Sequence, residues 1–287
     1  MRQPVFQRFL GVDLGGGKGK KTALAVLERR GDDGGIAVIA LMPRSGDAPL
    51  YDAALVDAIR THGSAALVCV DAPLTLPPCL RCVVPVCPGQ VNCADPAVIE
   101  MRRLAQEGDG EDPSRDRRRG KPNVTPYTQR ATEVYLHRRR GVLPRETLGQ
   151  GMGPLTARAA HLVRALAGQF RLNESLIEVY PKATLELLRL GEPYKKRPEV
   201  RLEILARMEG LSFAPGVWRE DVVQSDHAFD AIVCAYTGFL FARDGWAMPA
   251  ESAAVMARDG WIWVPPDPPR VEETVSADVT KRRRTLP

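Results

Sequence analysis

Phe6-Gln7-Arg8-Phe9-Leu10-Gly11-Val12-Asp13-Leu14 is a largely apolar run with an acid near its end, and it leads directly into Gly15-Gly16-Gly17-Lys18-Gly19 and a second extended stretch, Thr22 to Leu27. Ile36 to Leu41 makes a third, so three short strands joined by glycine-rich turns are predicted to form an antiparallel meander. The first link is a turn. Rossmann and P-loop domains place a helix directly after their glycine loop, so neither fits. A Walker A loop also fails on spacing, because Lys20 stands before Lys21-Thr22 where glycine is required. Glycine lets a phosphate or a metal approach the backbone closely, so a carboxylate at a strand end beside such a turn suits phosphate chemistry. The plain alternative is a glycine hairpin in which Asp13 is a turn residue.

Working outward, Leu50 to Arg60 has helical spacing, and Ala65 to Val70 is a continuous apolar run that fits a buried parallel strand. After Pro73 the regular pattern stops, and the segment to about Gln150 is rich in Pro, Cys and Arg, with a helix expected only at Thr128 to Arg140. Beyond it come a helix at Leu155 to Phe170, a strand at Leu176 to Tyr180, helices at Ala183 to Leu190 and Val200 to Met208, a long apolar helix at Asp226 to Arg243, and a last strand at Trp261 to Val264. This order predicts an α/β protein of ribonuclease H-like architecture, a mixed sheet with helices on both faces and a Cys-rich, basic insertion. Residues 1–73 and 151–270 form the ribonuclease H-like domain in this reading, residues 74–150 the insertion, and residues 271–287 a basic tail expected to fray. The same order also serves the actin-like and sugar-kinase ATPases.

The composition bounds the possibilities. At 287 residues, with 44% hydrophobic and 26% charged content, the chain belongs with globular proteins and not with disordered ones. From Arg102 to Glu146 twelve Lys/Arg stand against seven Asp/Glu, and that local excess equals the net charge of +5 for the whole chain. The basic character therefore belongs to one segment. Asp13 interrupts the only early apolar run, which argues against a signal peptide, and Ala231 to Ala242 is too short to span a bilayer. A cytoplasmic protein with no membrane partner is expected, and there the six cysteines are more readily metal ligands than disulfides.

Further acids stand out. Asp71, in Val70-Asp71-Ala72-Pro73, closes the apolar strand at its carboxyl edge, where parallel sheets bind ligands. It can equally cap the following turn. Glu178 lies inside an apolar strand, where it needs a partner or a cation, unless alternation turns it to solvent. Asp226 and Asp230 share one face at the start of the long helix. Asp226 suits a cap or a dipole partner, whereas Asp230 lies deeper and is the better ligand candidate. His227 beside them is a candidate for proton transfer.

Together, Gly11-Val12-Asp13, Val70-Asp71-Ala72-Pro73, Glu178-Val179-Tyr180-Pro181 and Asp226-His227-Ala228-Phe229-Asp230-Ala231 resemble the DUF429 family, predicted nucleases of the ribonuclease H-like fold. The resemblance implies that Asp13, Asp71 and Asp230 hold divalent metal, with Glu178 and Asp226 as neighbours. Arg130 and Glu133, in Tyr127-Thr128-Gln129-Arg130-Ala131-Thr132-Glu133, also resemble a family element, without an assigned role. The expected function is a nuclease in which Mg²⁺ or Mn²⁺ on the carboxylates drives phosphodiester hydrolysis. A sugar-kinase-like small-molecule kinase and a non-catalytic nucleic-acid-binding scaffold are the competing classes. The kinase reading needs a second phosphate hairpin and an adenosine loop, and neither motif appears after residue 150.

Cys79, Cys82, Cys87 and Cys93 give the spacing C-x2-C-x4-C-x5-C in a proline-bounded loop, which points to structural Zn²⁺, with an iron–sulfur cluster as the alternative encouraged by Cys87-Pro88. Cys69 and Cys234 read as packing residues. Arg117-Arg118-Arg119 and Arg138-Arg139-Arg140 are candidates for nucleic-acid phosphates, and Tyr127 and Tyr135 for stacking on bases. Interspersed acids make a solvated charge run an equal alternative.

Overall fold

The computed structural model describes residues 6–16, 22–31, 34–45, 48–63, 65–107 and 124–266. Most of the glycine turn, Arg117-Arg118-Arg119 and the tail 271–287 lie outside these residues. The chain folds as a mixed α/β protein. The expected meander is present: β1 (Arg8–Asp13), β2 (Ala23–Arg29) and β3 (Ile36–Met42) pair antiparallel in sequence order. A small ribbon, β4 (Arg44–Ser45) with β5 (Ala48–Pro49), then leads to α1 (Asp52–Arg60) and β6 (Ala66–Asp71).

β6 returns parallel to β1 on the side away from β2. α2 (Pro78–Arg81), α3 (Pro96–Glu107), α4 (Ala131–Arg140) and α5 (Gly153–Leu166) follow, and then β7 (Leu176–Val179) pairs parallel with β6. α6 (Pro181–Leu187), α7 (Pro198–Arg207) and β8 (Leu211–Phe213) come next, with β8 pairing parallel to β3 at the far edge. α8 (Arg219–Gln224), α9 (Asp226–Asp244), α10 (Ala253–Asp259) and β9 (Ile262–Trp263) complete the order, β9 lying parallel to β7. The seven-stranded sheet reads β8-β3-β2-β1-β6-β7-β9. Among the described residues no helix is long and apolar enough to cross a membrane.

Side-chain alternation sorts the strands onto two cores. Leu10 and Val12 of β1, Val26 of β2 and Val68 and Val70 of β6 pack on one face with Leu55 and Ile59 of α1 and Leu162 and Leu166 of α5. Phe9, Ala25, Leu67 and Cys69 pack on the other with Phe229, Ile232 and Phe239 of α9. Burial on both faces is why the central strands read as unbroken apolar runs.

One expectation needs correction. Residues 74–150 contain α3, where no helix was expected. Its buried stripe is Ala97, Val98, Met101, Leu104 and Ala105, but Glu100, Arg102 and Arg103 interrupt it in sequence and mask the period. Glu100 and Arg103 pair within the helix at 2.6 Å. α3 packs on α4 and α10, so this segment shares the core with the helices that follow.

Candidate functional site

Asp13 and Asp71 end neighbouring parallel strands and are direct register partners. Counting in steps of two from Phe9 and Leu67 puts both side chains on the α9 face of the sheet. α9 arrives there because β1 carries Gly11: a Cβ at that position would overlap the Ala231 carbonyl oxygen and crowd the Ala235 amide. Gly238 plays the same part further along, where a Cβ would meet the Cys69 sulfur. Glycine at these two points seats the helix directly on the sheet and brings Asp230, 1% exposed, against the ends of β1 and β6. Ser225 caps the helix by accepting from the Ala228 amide at 3.2 Å, which fixes where its first turn begins.

Three of the five expected carboxylates therefore converge. Asp13, Asp71 and Asp230 line one cavity of about 320 Å³, together with Arg130, Arg145, Glu178, Tyr180, Lys182, Tyr194 and Lys195. Asp226 stays at the edge, 3.7 Å from His227 Nε2. Glu178 reaches the same cavity from the other side of the sheet: it is the register partner of Val70, one step out of phase with Asp71, so its side chain leaves the opposite face. Its carboxylate accepts from Arg130 Nη1 at 2.7 Å and Nη2 at 2.6 Å, and from the Leu74 amide at 2.9 Å. Neither solvent nor Asp71 is its partner.

Arg130 explains its own motif. It is fully buried, 0% exposed, and spans Glu178 and Glu133 while also donating to Thr75 Oγ1 at 2.9 Å. Glu133 caps the start of α4 by accepting from the Arg130 amide at 3.2 Å, and it receives the Thr147 hydroxyl at 2.5 Å. The network ties the Pro73 turn, α4 and β7 into one wall of the cavity. Arg158 does similar work at the glycine turn, where its guanidinium donates to the Gly15 carbonyl at 3.0 Å, Thr22 Oγ1 at 2.5 Å and Asp52 Oδ1 at 2.5 Å.

The electrostatics follow from the crowding. Burial, then the charges of Asp13 and Asp230, push the Asp71 carboxyl well above its ordinary range. Burial raises Asp230 to about 6, against the pull of Lys195. Lys195 Nζ pairs with Asp230 Oδ2, and Tyr194 Oη donates to Oδ1 at 2.8 Å. His227 Nδ1 lies 2.5 Å from Asp13 Oδ2, and that bond raises the imidazole above its usual value. A lysine and an imidazole thus sit on two of the three converging carboxylates. Among the described residues no group of three or more His, Cys, Asp or Glu side chains is arranged to hold a metal ion.

This includes the cysteines. Cys79 and Cys93 are half-buried and Cys82 and Cys87 exposed, and they are free thiols. They are near enough that, after burial, Cys87, Cys93 and Cys82 all raise the Cys79 thiol. Arg102 holds the loop to α3 by donating to the Gln90 and Cys93 carbonyls at 2.5 Å and 3.1 Å. Of the residues expected to contact nucleic acid, Tyr127 is exposed, but Tyr135 is buried edge-on against Trp261 at 5.3 Å. Arg139 pairs with Glu107 at 2.8 Å, and Arg140 Nη2 donates to the Pro265 carbonyl at 2.7 Å.

Lys182, Tyr194, Lys195 and Arg145 have no motif in the sequence; only their fold-imposed closeness to the acids marks them.

A family model described as "Protein of unknown function (DUF429)" matches residues 11–254. No curated protein and no solved structure matches the chain.

Proposed function

The chain belongs to the DUF429 family, and on that premise we propose that it is a divalent-metal-dependent nuclease of ribonuclease H-like architecture. The observation that carries this is a layering of charge: exposed Arg145, Lys182 and Lys195 surround the mouth of a cavity whose floor is Asp13, Asp71 and Asp230. A cationic rim attracts a phosphodiester, and an acidic floor repels it unless a cation intervenes. The strand order β3-β2-β1-β6-β7, antiparallel and then parallel, supports the architecture.

The donor set fits Mg²⁺ or Mn²⁺ by its chemistry. Carboxylate oxygens suit hard cations, and the raised Asp71 and Asp230 carboxyls express a demand for positive charge that Lys195 and His227 meet only in part. Asp13, Asp71 and Asp230 would hold the ion once Lys195 and His227 yield those oxygens. The bound ion supplies Lewis acidity toward the phosphodiester. Lys195, released from Asp230, is placed to pair with the phosphate, with Lys182 and Arg145 beside it. His227, next to Asp13, can carry a proton to or from the reacting oxygens. Tyr194 orients Asp230, and Arg130 with Glu178 keeps the wall fixed.

Zn²⁺ at Cys79, Cys82, Cys87 and Cys93 is proposed as a structural ion, on their spacing and mutual closeness. Four thiolates suit zinc, and an iron–sulfur cluster, the alternative, would show a visible absorption band.

Incubating purified protein with labelled single-stranded DNA and RNA, with Mn²⁺ or EDTA, tests the nuclease. Cleavage should require the metal and fall at least about 100-fold in Asp13→Asn, a loss of the size expected when a charge-stabilising group is removed. Cutting that survives the substitution unchanged would reject the assignment.

A further inference from the structure

The segment Gly191 to Arg197, between α6 and α7, carries Tyr194 and Lys195, whose hydroxyl and ammonium both bond Asp230. One side of it is thus part of the carboxylate cavity. On its other side lies a second cavity, of about 530 Å³, floored by Leu185 of α6 and walled by Gly191 and Pro193. The wall is held from two directions. A Cβ at Gly191 would stand 3.0 Å from the Cα and Cγ of Glu186, so glycine lets the segment lie tight on α6. From α7, buried Arg201 donates to the Tyr194 carbonyl at 2.7 Å and to the Lys195 carbonyl at 2.9 Å.

The surface open to a ligand is apolar between cations. Gly191, Pro193, Lys182, Lys195 and Lys196 are all exposed, so a ligand meets a pyrrolidine ring, a bare glycine backbone and lysine methylenes. Lys182, Lys195, Lys196 and Arg197 stand around it against Glu186 and Glu192, an excess of two positive charges. Glu192 is itself drawn to Arg207 at 3.3 Å. Tyr194 brings the one hydroxyl among the described lining residues, which is spent on Asp230, and no side-chain amide is among them. Continuity decides the occupant. Lys182, Tyr194 and Lys195 line both cavities, so an anion at the two lysines stands over Asp13, Asp71 and Asp230 while the body attached to it lies against Pro193. A phosphate joined through a sugar to a flat, largely apolar ring has that layout. The volume agrees, since small-ligand sites span roughly 300–1,000 Å³.

We propose that this cavity holds one nucleoside of a single-stranded nucleic acid, next to the phosphodiester at the carboxylate cavity. The proposal rests on the nuclease reading for its phosphate and deepens it in two ways. A base in the cavity has left its partner and its stack, so the substrate is single-stranded. The cavity has no amide or hydroxyl free to read a base edge, so different bases are accepted nearly alike.

The test is fluorescence anisotropy of dye-labelled oligomers on the full chain in EDTA, where metal-dependent turnover is absent. Titrants are oligoadenylate, oligocytidylate and oligothymidylate single strands, an abasic sugar-phosphate oligomer of the same length and a closed hairpin duplex, with nucleoside monophosphates and polyglutamate as competitors. The three single strands should bind within about threefold of one another, and the abasic oligomer and the duplex at least about tenfold more weakly, since their base surface is missing or stays stacked. Pro193→Ala should weaken the single strands roughly 3- to 5-fold and leave the abasic oligomer unchanged. Lys196→Gln should weaken both alike, by roughly 2- to 3-fold, because it removes charge and not wall. Both positions are exposed, so folding is not at stake. Equal binding of the abasic oligomer or the duplex, a Pro193→Ala loss that is the same with and without bases, no binding of the single strands, or their displacement by polyglutamate would overturn the subsite. A spread beyond about tenfold among the three strands would overturn the indifference to base identity. Nucleoside monophosphates that compete as well as the oligomer would overturn the strand as the source of the nucleoside. Base-dependent binding without any Asp13-dependent cleavage would leave the subsite standing while the nuclease reading falls, and Asp13-dependent cleavage with base-independent binding would do the reverse.

Discussion

Asp71 faces Asp13 along the sheet and Asp230 from the helix, and both charges add to burial in raising its carboxyl. Its neighbours Asp230 and His227 also hold their protons more tightly than usual, Asp230 through burial and His227 through Asp13. All three groups therefore bind protons more strongly folded than unfolded. The folded state carries the proton excess from the ordinary carboxylate value of about 4 up through 6 and past the imidazole range, so metal-free stability must fall as pH rises across that window. Thermal melts in EDTA should give a higher Tm at pH 5 than at pH 7.5. Asp71→Asn should flatten that slope and raise stability at pH 7.5 by about 1–3 kcal/mol, the scale of an uncompensated buried group, while removing activity. A destabilising Asp71→Asn would mean that the carboxylate is satisfied within the fold.

At the scale of elements, the seating of α9 on β1 decides whether the acids meet. Gly11→Ala forces a methyl into the helix backbone at Ala231 and Ala235, where nothing flexible can give way. It should cost about 1–3 kcal/mol or more by denaturant unfolding and reduce catalysis beyond that, because Asp230 moves away from Asp13 and Asp71. Equal activity at equal folded fraction would show that the helix position does not set the site. The Arg130 network makes a different claim, about charge. Arg130→Met leaves Glu178 and Glu133 buried without their cation and should cost about 3–5 kcal/mol. Glu178→Gln added to it should recover part of that loss, since an amide is cheaper to bury than a carboxylate. If the two losses simply add, the pair is not coupled.

Across the whole molecule, the meander, the return strand β6 and the long helix α9 were legible because both faces of the sheet are apolar and the glycine turns punctuate them. The meeting of Asp13 and Asp71 was legible for a related reason: acids at the ends of adjacent parallel apolar strands lie on one edge, whereas Asp230, on α9, was joined to them only through the family resemblance. For Glu178 the sequence left two readings, a buried acid that needs a partner or one turned to solvent; its strand is buried on both sides, and the partner is Arg130, which no local pattern identified. α3 was hidden by charges inside its apolar stripe, and Lys195, Lys182 and Arg145 by having no pattern at all. Long-range pairing of this kind is set by topology and leaves no local trace. The most direct measurement is electron paramagnetic resonance of Mn²⁺ titrated into the metal-stripped protein, beside Asp13→Asn and Asp71→Asn. Loss of the free-ion signal at stoichiometric metal in the wild type, and not in either variant, is expected if the three carboxylates hold a hard cation; equal uptake by all three proteins, or uptake by none, would contradict it.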